Sequence, residues 1–220
     1  MRYAHFPPAV VAGGGRSADV VGRLVRDGDA PAREQGRSLR AFHVMPDDGA
    51  EPLARVTTEQ ELGPRGGERP AVYRVDDGRG APLGRVTFRR GRPGRFGRAR
   101  WTVEPVGGPA LGGYRGRLLW WAVWWPLGLP LSVVWAVLSL LGDGDDGFGA
   151  PRRVIWRDGS RRGRLVFRGI ADEYKVRGEG LDPRLVLALI GLHQSFDPSD
   201  GAPSTGWYET VSAPSRGPVR

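Results

Sequence analysis

Tyr73-Arg74-Val75-Asp76-Asp77-Gly78, leading to Pro82-Leu83-Gly84-Arg85-Val86-Thr87-Phe88, is the stretch whose reading decides the fold. Apolar and polar residues alternate through both halves, the period of a strand with one buried face. Asp77-Gly78 between them is turn chemistry, because glycine takes a positive φ without steric cost. The pair reads as an antiparallel hairpin. The same plan recurs. Phe42-His43-Val44-Met45-Pro46-Asp47-Asp48-Gly49 leads to Pro52-Leu53-Ala54-Arg55-Val56, and Val154-Ile155-Trp156-Arg157-Asp158-Gly159 leads to Gly163-Arg164-Leu165-Val166-Phe167. Trp101-Thr102-Val103-Glu104, leading to Pro109-Ala110-Leu111-Gly112-Gly113-Tyr114, fits more loosely. Hairpins of one type, each with one apolar face, predict a closed or nearly closed antiparallel sheet. Unrelated hairpins in a sandwich are the other arrangement that this spacing allows.

Asp172–Arg177 adds one more short strand, turned by Gly178-Glu179-Gly180. Asp182 then stands as an N-cap with Pro183 at the first helical position. The helix expected over 182–193 is apolar on nearly every side, so it belongs inside a protein or in lipid. It is too short to span a bilayer, which places it inside the sheet. His193 ends it, where an imidazole can satisfy terminal carbonyls. Residues 198–220, rich in Pro, Ser and Gly, read as a mobile tail in which Trp207 and Tyr208 are placed to dock locally. Residues 1–38 read as a flexible N-terminal segment, with Ser17 capping a short helix that carries Val20, Val21, Leu24 and Val25 on one face. Gly13-Gly14-Gly15-Arg16-Ser17 is not a phosphate loop, since it lacks the Lys-Ser/Thr ending and a preceding strand.

Between the third and fourth hairpins lies Leu118–Leu141, LLWWAVWWPLGLPLSVVWAVLSLL, without a charged side chain. An apolar run of about 18 residues or more is a membrane-segment candidate. Trp120, Trp121, Trp124 and Trp125 crowd one end and Trp135 the other, as interface anchors do. Pro126, Gly128 and Pro130 interrupt the middle, which predicts a kink or a fold-back. A kinked span would put its two flanks on opposite sides; a re-entrant hairpin would keep both on one side. Arg98, Arg100, Arg115 and Arg117 before the run and Arg152, Arg153 and Arg157 after it favour the hairpin by the positive-inside rule. One sheet built from both flanks favours it more strongly.

The chain has 220 residues and a formal charge of +9. Its pI is about 10.9. Nearly all the basic residues are Arg, Lys175 being the lone lysine, and Gly and Pro are abundant. A compositional bias explains this more simply than nucleic-acid binding does. Attraction to anionic lipid comes next. With no cysteine there is no disulfide framework, thiolate metal site or palmitoyl anchor. The N-terminus lacks the apolar core of a secretory signal.

The order of parts, meaning repeated aromatic-x-Val…Asp-Gly…Pro-Leu-Gly-Arg-Val hairpins, a Glu-Tyr strand and an Asp-Pro-initiated apolar helix, resembles the tubby C-terminal-like superfamily. The nearest branches are the phospholipid scramblases and the LURP-one-related proteins. The resemblance covers about 39–117 and 151–196. It implies an antiparallel barrel around a hydrophobic helix, and lipid headgroup binding. Leu118–Leu141 is not part of that pattern, and the scramblase cysteine cluster has no counterpart. Asp143, Asp145 and Asp146 start like a calcium loop, but Gly147 and Val154 stand where further ligands should be.

Catalytic chemistry finds little support. His5, His43 and His193 have no metal spacing, and His43 should face solvent if Phe42 and Val44 face in. Ser132 and Ser139 sit in the apolar run, where hydroxyls bond their own helix. No nucleophile elbow occurs, and acidic residues fall mainly in turns. The densest basic patch runs from Arg89 to Arg100, with Arg161-Arg162-Gly163-Arg164 as its echo.

The expected fold class is mainly β (α+β): an antiparallel β-barrel of repeated hairpins around a buried C-terminal helix, with a helical membrane insertion. Its parts would be 1–38, barrel 39–117, insertion 118–141, barrel and helix 142–197, and tail 198–220. The expected function is non-enzymatic, without metal or cofactor, at the cell membrane with the bulk of the chain cytoplasmic. Trp120, Trp121, Trp124, Trp125 and Trp135 would anchor it. Arg89, Arg90, Arg92, Arg95, Arg98, Arg100, Arg115 and Arg117 would face acidic phospholipid. A soluble nucleic-acid-binding or partner-docking module, with Phe96 stacking on RNA, and a scramblase-like activity are the alternatives.

Overall fold

The computed structural model describes residues 1–6, 9–12, 19–27, 39–49, 51–63, 69–90, 99–115, 153–168, 173–178, 180–196 and 207–210. Alternation sets the sheet. In β6 (Ala71–Asp76) and β7 (Pro82–Arg89) the buried residues include Ala71, Tyr73, Val75, Leu83, Val86 and Phe88, while Arg74, Arg85 and Arg89 face out. The two strands pair antiparallel with Tyr73 opposite Val86. In the turn, Asp77 Oδ1 accepts the backbone N–H of Arg79 and of Ala81, and the positive φ falls on Gly80. Gly78 is needed for a different reason: a Cβ there would collide with the Pro52 carbonyl oxygen.

The other expected hairpins also form. They are β4 (Phe42–Met45) with β5 (Ala54–Gln60), β8 (Arg100–Pro105) with β9 (Leu111–Arg115), and β10 (Val154–Arg157) with β11 (Gly163–Arg168). β12 (Glu173–Val176) follows. The N-terminal reading needs correction. Residues 1–38 contribute three strands, β1 (Arg2–Phe6), β2 (Ala9–Ala12) and β3 (Asp19–Arg26), rather than a flexible segment with a short helix. Val20, Val21 and Val25 are β-branched, which favours a pleated surface over a helix. The inward positions of β3 are Gly22 and Leu24, so a glycine broke the visible alternation. A Cβ on Gly22 would lie 3.0 Å from Val44 Cγ1.

All neighbouring strands are antiparallel, and β1 pairs with β12 as well as with β2, with Tyr3 opposite Tyr174. The order β1-β12-β11-β10-β9-β8-β7-β6-β5-β4-β3-β2 therefore returns to its first strand. α1 (Pro183–Gln194) lies inside, packed on β4, β5 and β7. Asp182 is its N-cap and accepts the N–H of Arg184 at 2.8 Å, with Pro183 opening the first turn. Leu185–Gln194 are buried throughout. Each large aliphatic side chain so placed contributes roughly 1.5–3 kcal/mol, which outweighs the weak amphipathicity of the helix. α2 (Trp207–Thr210) follows, with Trp207 and Tyr208 buried. The expected tail thus contains a docked turn.

Leu118–Leu141, with all five anchor tryptophans, lies outside the described residues. Among the described residues, no helix is long and apolar enough to cross a membrane.

Candidate membrane-facing rim

Because every pair is antiparallel, the connections alternate between two ends of the sheet. Those at 77–81, 106–110 and 158–162 lie at one end. Those at 27–41, 61–70, 90–99 and 116–153 leave from the other. The arginine-rich connection and the one carrying the apolar run therefore share an end. Arg115 of β9 lies opposite Val154 of β10, so the chain leaves and re-enters the sheet on adjacent strands.

Arg89 and Arg100 face each other across β7 and β8 at this end, and both are exposed, as is Arg90. Like charges directly opposite each other repel. Elsewhere the sheet neutralises such a pair. Arg74 and Arg85 are also opposite each other, but Arg74 holds Asp76 at 2.8 Å and Arg85 holds Glu59 at 2.9 Å. No carboxylate among the described residues pairs with Arg89, Arg90 or Arg100. Arg100 instead lies over the Tyr114 ring, 5.4 Å from its centroid. Tyr114 is 44% exposed and sits across from Arg100. Arg115 is half-buried, and its N–H bonds the Ala99 carbonyl. Arg92, Arg95, Arg98 and Arg117 lie outside the described residues, as does the Asp143–Asp146 run.

At the opposite end some arginines are paired, while Arg157, Arg161, Arg162 and Arg177 are exposed with no carboxylate partner among the described residues. A cavity of about 280 Å³ lined by Glu51, Leu53, Asp77, Arg79 and Arg184 opens there. Arg79 meets Glu51 at 3.7 Å and Arg184 meets Asp77 at 3.5 Å. The Arg164 guanidinium bonds Asp158 at 2.9 Å and holds its carboxyl below the usual range, and Arg184 does the same to Asp182.

Two features escaped the sequence. One is the surroundings of His193. This residue is buried, its Nδ1 is 2.6 Å from the Tyr174 hydroxyl, and Trp101, Trp156, Phe167 and Tyr174 surround it. Gln194 Nε2 donates to the same hydroxyl at 2.9 Å. Tyr114 was the other. Period-two alternation from Leu111 and Gly113 does turn it outward, but only the pairing brings it to Arg100. His43 is half-buried between inward Phe42 and Val44, with Nε2 3.7 Å from Asp27. Among the described residues no group of His, Cys, Asp and Glu is arranged to hold a metal.

The chain matches no family model, no curated protein and no solved structure.

Proposed function

We propose that this is a membrane-embedded, non-enzymatic protein: a tubby-like barrel held against anionic phospholipid, with Leu118–Leu141 dipping into the bilayer from one face and returning. The observation that carries this reading is the pairing of β9 with β10 beside the Arg100–Tyr114 contact. It brings Arg115 and Val154, between which the apolar run lies in sequence, side by side near the exposed Arg100. A straight span would have to pull two hydrogen-bonded strands to opposite sides of a membrane. A fold-back at Pro126–Pro130 leaves the sheet intact, the freed carbonyls of the bend needing partners from the protein or from water that reaches the bend. Trp120, Trp121, Trp124, Trp125 and Trp135 then lie at headgroup depth. Arg89, Arg90 and Arg100, together with Arg92, Arg95, Arg98, Arg115 and Arg117 nearby in sequence, meet the negative surface, each worth on the order of 1 kcal/mol. The bulk of the chain sits on the cytoplasmic face, as the positive-inside rule asks.

The test is topology. The full chain is placed in sealed vesicles with a tag at each terminus, and both tags are probed with an impermeant protease. Equal accessibility of both tags, with resistance of the protein to carbonate extraction, is expected. Tags on opposite faces, or release by carbonate, would overturn the reading.

A further inference from the structure

The end of the sheet away from the apolar run carries a second set of exposed arginines. Arg157 closes β10, Arg161 and Arg162 stand in the turn to β11, and Arg177 follows β12. These three strands are consecutive neighbours, and the Arg177 N–H donates to the Arg164 carbonyl at 2.7 Å. The four cations therefore share one sector of that end. No carboxylate among the described residues pairs with any of them. Asp158, in their midst, is 9% exposed and already engaged. Its Oδ2 accepts the Arg164 Nε–H at 2.9 Å and its Oδ1 accepts the Arg162 backbone N–H at 3.0 Å.

The sector is stiff and its floor is low. The Asp158 N–H donates to the Arg162 carbonyl at 3.1 Å and the Arg161 N–H to the Asp158 carbonyl at 2.9 Å, which closes the turn. Arg161 has a φ of 61°, the one positive φ outside glycine among the described residues. Glycine would take that place at the least cost, so strain is stored in holding a cation at the tip. Arg157 lies opposite Gly112 on one side and Gly163 on the other. Its direct cross-strand neighbours thus carry no side chain, and a Cβ on Gly112 would meet nothing within 4 Å.

The pairing of β9 with β10 sets the 106–110 turn beside the 158–162 turn, and Val106 there is 64% exposed. An apolar side chain among arginines suits a lipid surface. Its methyls enter the headgroup zone while the guanidiniums meet phosphate. Single-stranded nucleic acid favours exposed rings on which bases stack. Among the described residues the one exposed aromatic side chain, Tyr114, lies at the other end. β7 and β8 have eight and six residues, so with strand tilt the two ends stand roughly 15–20 Å apart. That exceeds the screening length of about 8 Å at physiological salt. A bilayer held at the Arg89–Arg100 end is out of reach of the second set.

We infer that this end is a second site for an anionic bilayer, so that a chain seated in one membrane holds another against Arg157, Arg161, Arg162 and Arg177. The bridging rests on the membrane reading above. The site itself does not.

The test places the full chain in phosphatidylcholine vesicles that carry a biotinylated lipid, washes them with carbonate and returns them to neutral pH at low salt. Fluorescent vesicles of equal parts phosphatidylserine and phosphatidylcholine are added, the first vesicles are pulled down on streptavidin, and captured fluorescence is read. Capture well above that of pure phosphatidylcholine vesicles is expected, and it should fall as salt rises. Changing all four arginines to glutamine should lower it several-fold, with an unchanged far-ultraviolet circular dichroism spectrum. R74Q/R85Q removes charge away from the site and should leave capture as it was. Arg161→Gly removes one cation and relieves the left-handed backbone, so capture should drop while the melting temperature rises. The inference fails if the variant with four glutamines captures as much as the parent chain, or if neutral vesicles are captured equally. It also fails if labelled polyuridylate is retained where anionic vesicles are not, which would assign the sector to nucleic acid. Release of the chain by carbonate overturns the membrane reading alone. The released full chain, with Arg89, Arg90 and Arg100 changed to glutamine, is then spun down with the anionic vesicles. No binding, or binding that the four further substitutions leave unaltered, overturns the site.

Discussion

Arg115 and Val154 face each other across two hydrogen-bonded strands, although residues 116–153 separate them along the chain. The pairing makes the whole intervening stretch a loop in the topological sense, whatever its apolarity. A long loop on a strand pair costs little extra closure entropy, since doubling its length adds only about 0.6 kcal/mol. Replacing 118–141 with a short Gly-Ser linker should therefore leave the far-ultraviolet circular dichroism spectrum strand-like and the thermal transition cooperative. The same variant should move from the membrane pellet to the supernatant. Loss of the transition would mean that the run supports the sheet directly.

Arg89 and Arg100 supply the second prediction. Neutralising both as glutamine removes a like-charge pair from the sheet, so folding stability should hold or rise slightly. Affinity for phosphatidylserine vesicles should fall by about 2 kcal/mol in total at low salt, measured with the variant that lacks 118–141. The difference from the unsubstituted chain should shrink as ionic strength rises. Arg74→Gln and Arg85→Gln, whose parents are paired with Asp76 and Glu59, serve as controls and should change affinity much less.

Tyr174→Phe tests the polar knot inside the sheet. The Tyr174 hydroxyl serves both His193 Nδ1 and Gln194 Nε2. Removing it leaves two buried polar groups without that partner, which costs about 1–3 kcal/mol. Urea unfolding should show a lower midpoint with an unchanged slope. The ring itself can stay, stacked on Phe167 at 4.7 Å, so the loss reports the hydroxyl and not the packing.

Acid should weaken the fold through its turn end. Asp158 is held below its ordinary value of 3.8 first by the hydrogen bond from Arg164, and Asp182 likewise by Arg184. A carboxyl depressed in the folded state contributes fully above its unfolded value and loses that contribution as pH falls through the folded one. Stability carried by these two groups should be flat from neutral pH down to about pH 5 and decline below about pH 4. Asp158→Asn and Asp182→Asn should each shallow that decline in a melting-temperature series. Asp182→Ala should also cost about 1 kcal/mol at neutral pH through loss of the helix cap.

The hairpins were legible because Val75, Val86, Val103 and Trp156 fall on the inward beat of a two-residue rhythm, with turn residues between the runs. The helix was legible because Asp182 and Pro183 announce its start and nothing polar interrupts Leu185–Ile190. The N-terminal strands were not. Gly22 occupies an inward place with no side chain to mark it, and the spacing of Val20, Val21, Leu24 and Val25 fits a helix face equally well. What separates the two patterns is pairing with β2 and β4, a long-range fact. At the rim, the outward direction of Arg89, Arg100 and Tyr114 follows from alternation. Their neighbourhood follows only from register, which places Arg89 opposite Arg100 and Arg100 opposite Tyr114. Arg40 gave no signal, since its burial depends on Ser195 and Tyr208 from the far end of the chain.

Tyr3 opposite Tyr174 has a consequence for biosynthesis. β1 is made well before its partner β12, and residues 118–141 emerge before β10 has been made. While that stretch is being made, β1–β9 are a strip with two bare edges. Bare edges recruit foreign strands, and such late, long-range pairing is intrinsically slow. The nascent chain is thus most vulnerable to mispairing between translation of Leu141 and translation of Val176, and a chaperone acting in that interval would change yield more than any change to the finished fold.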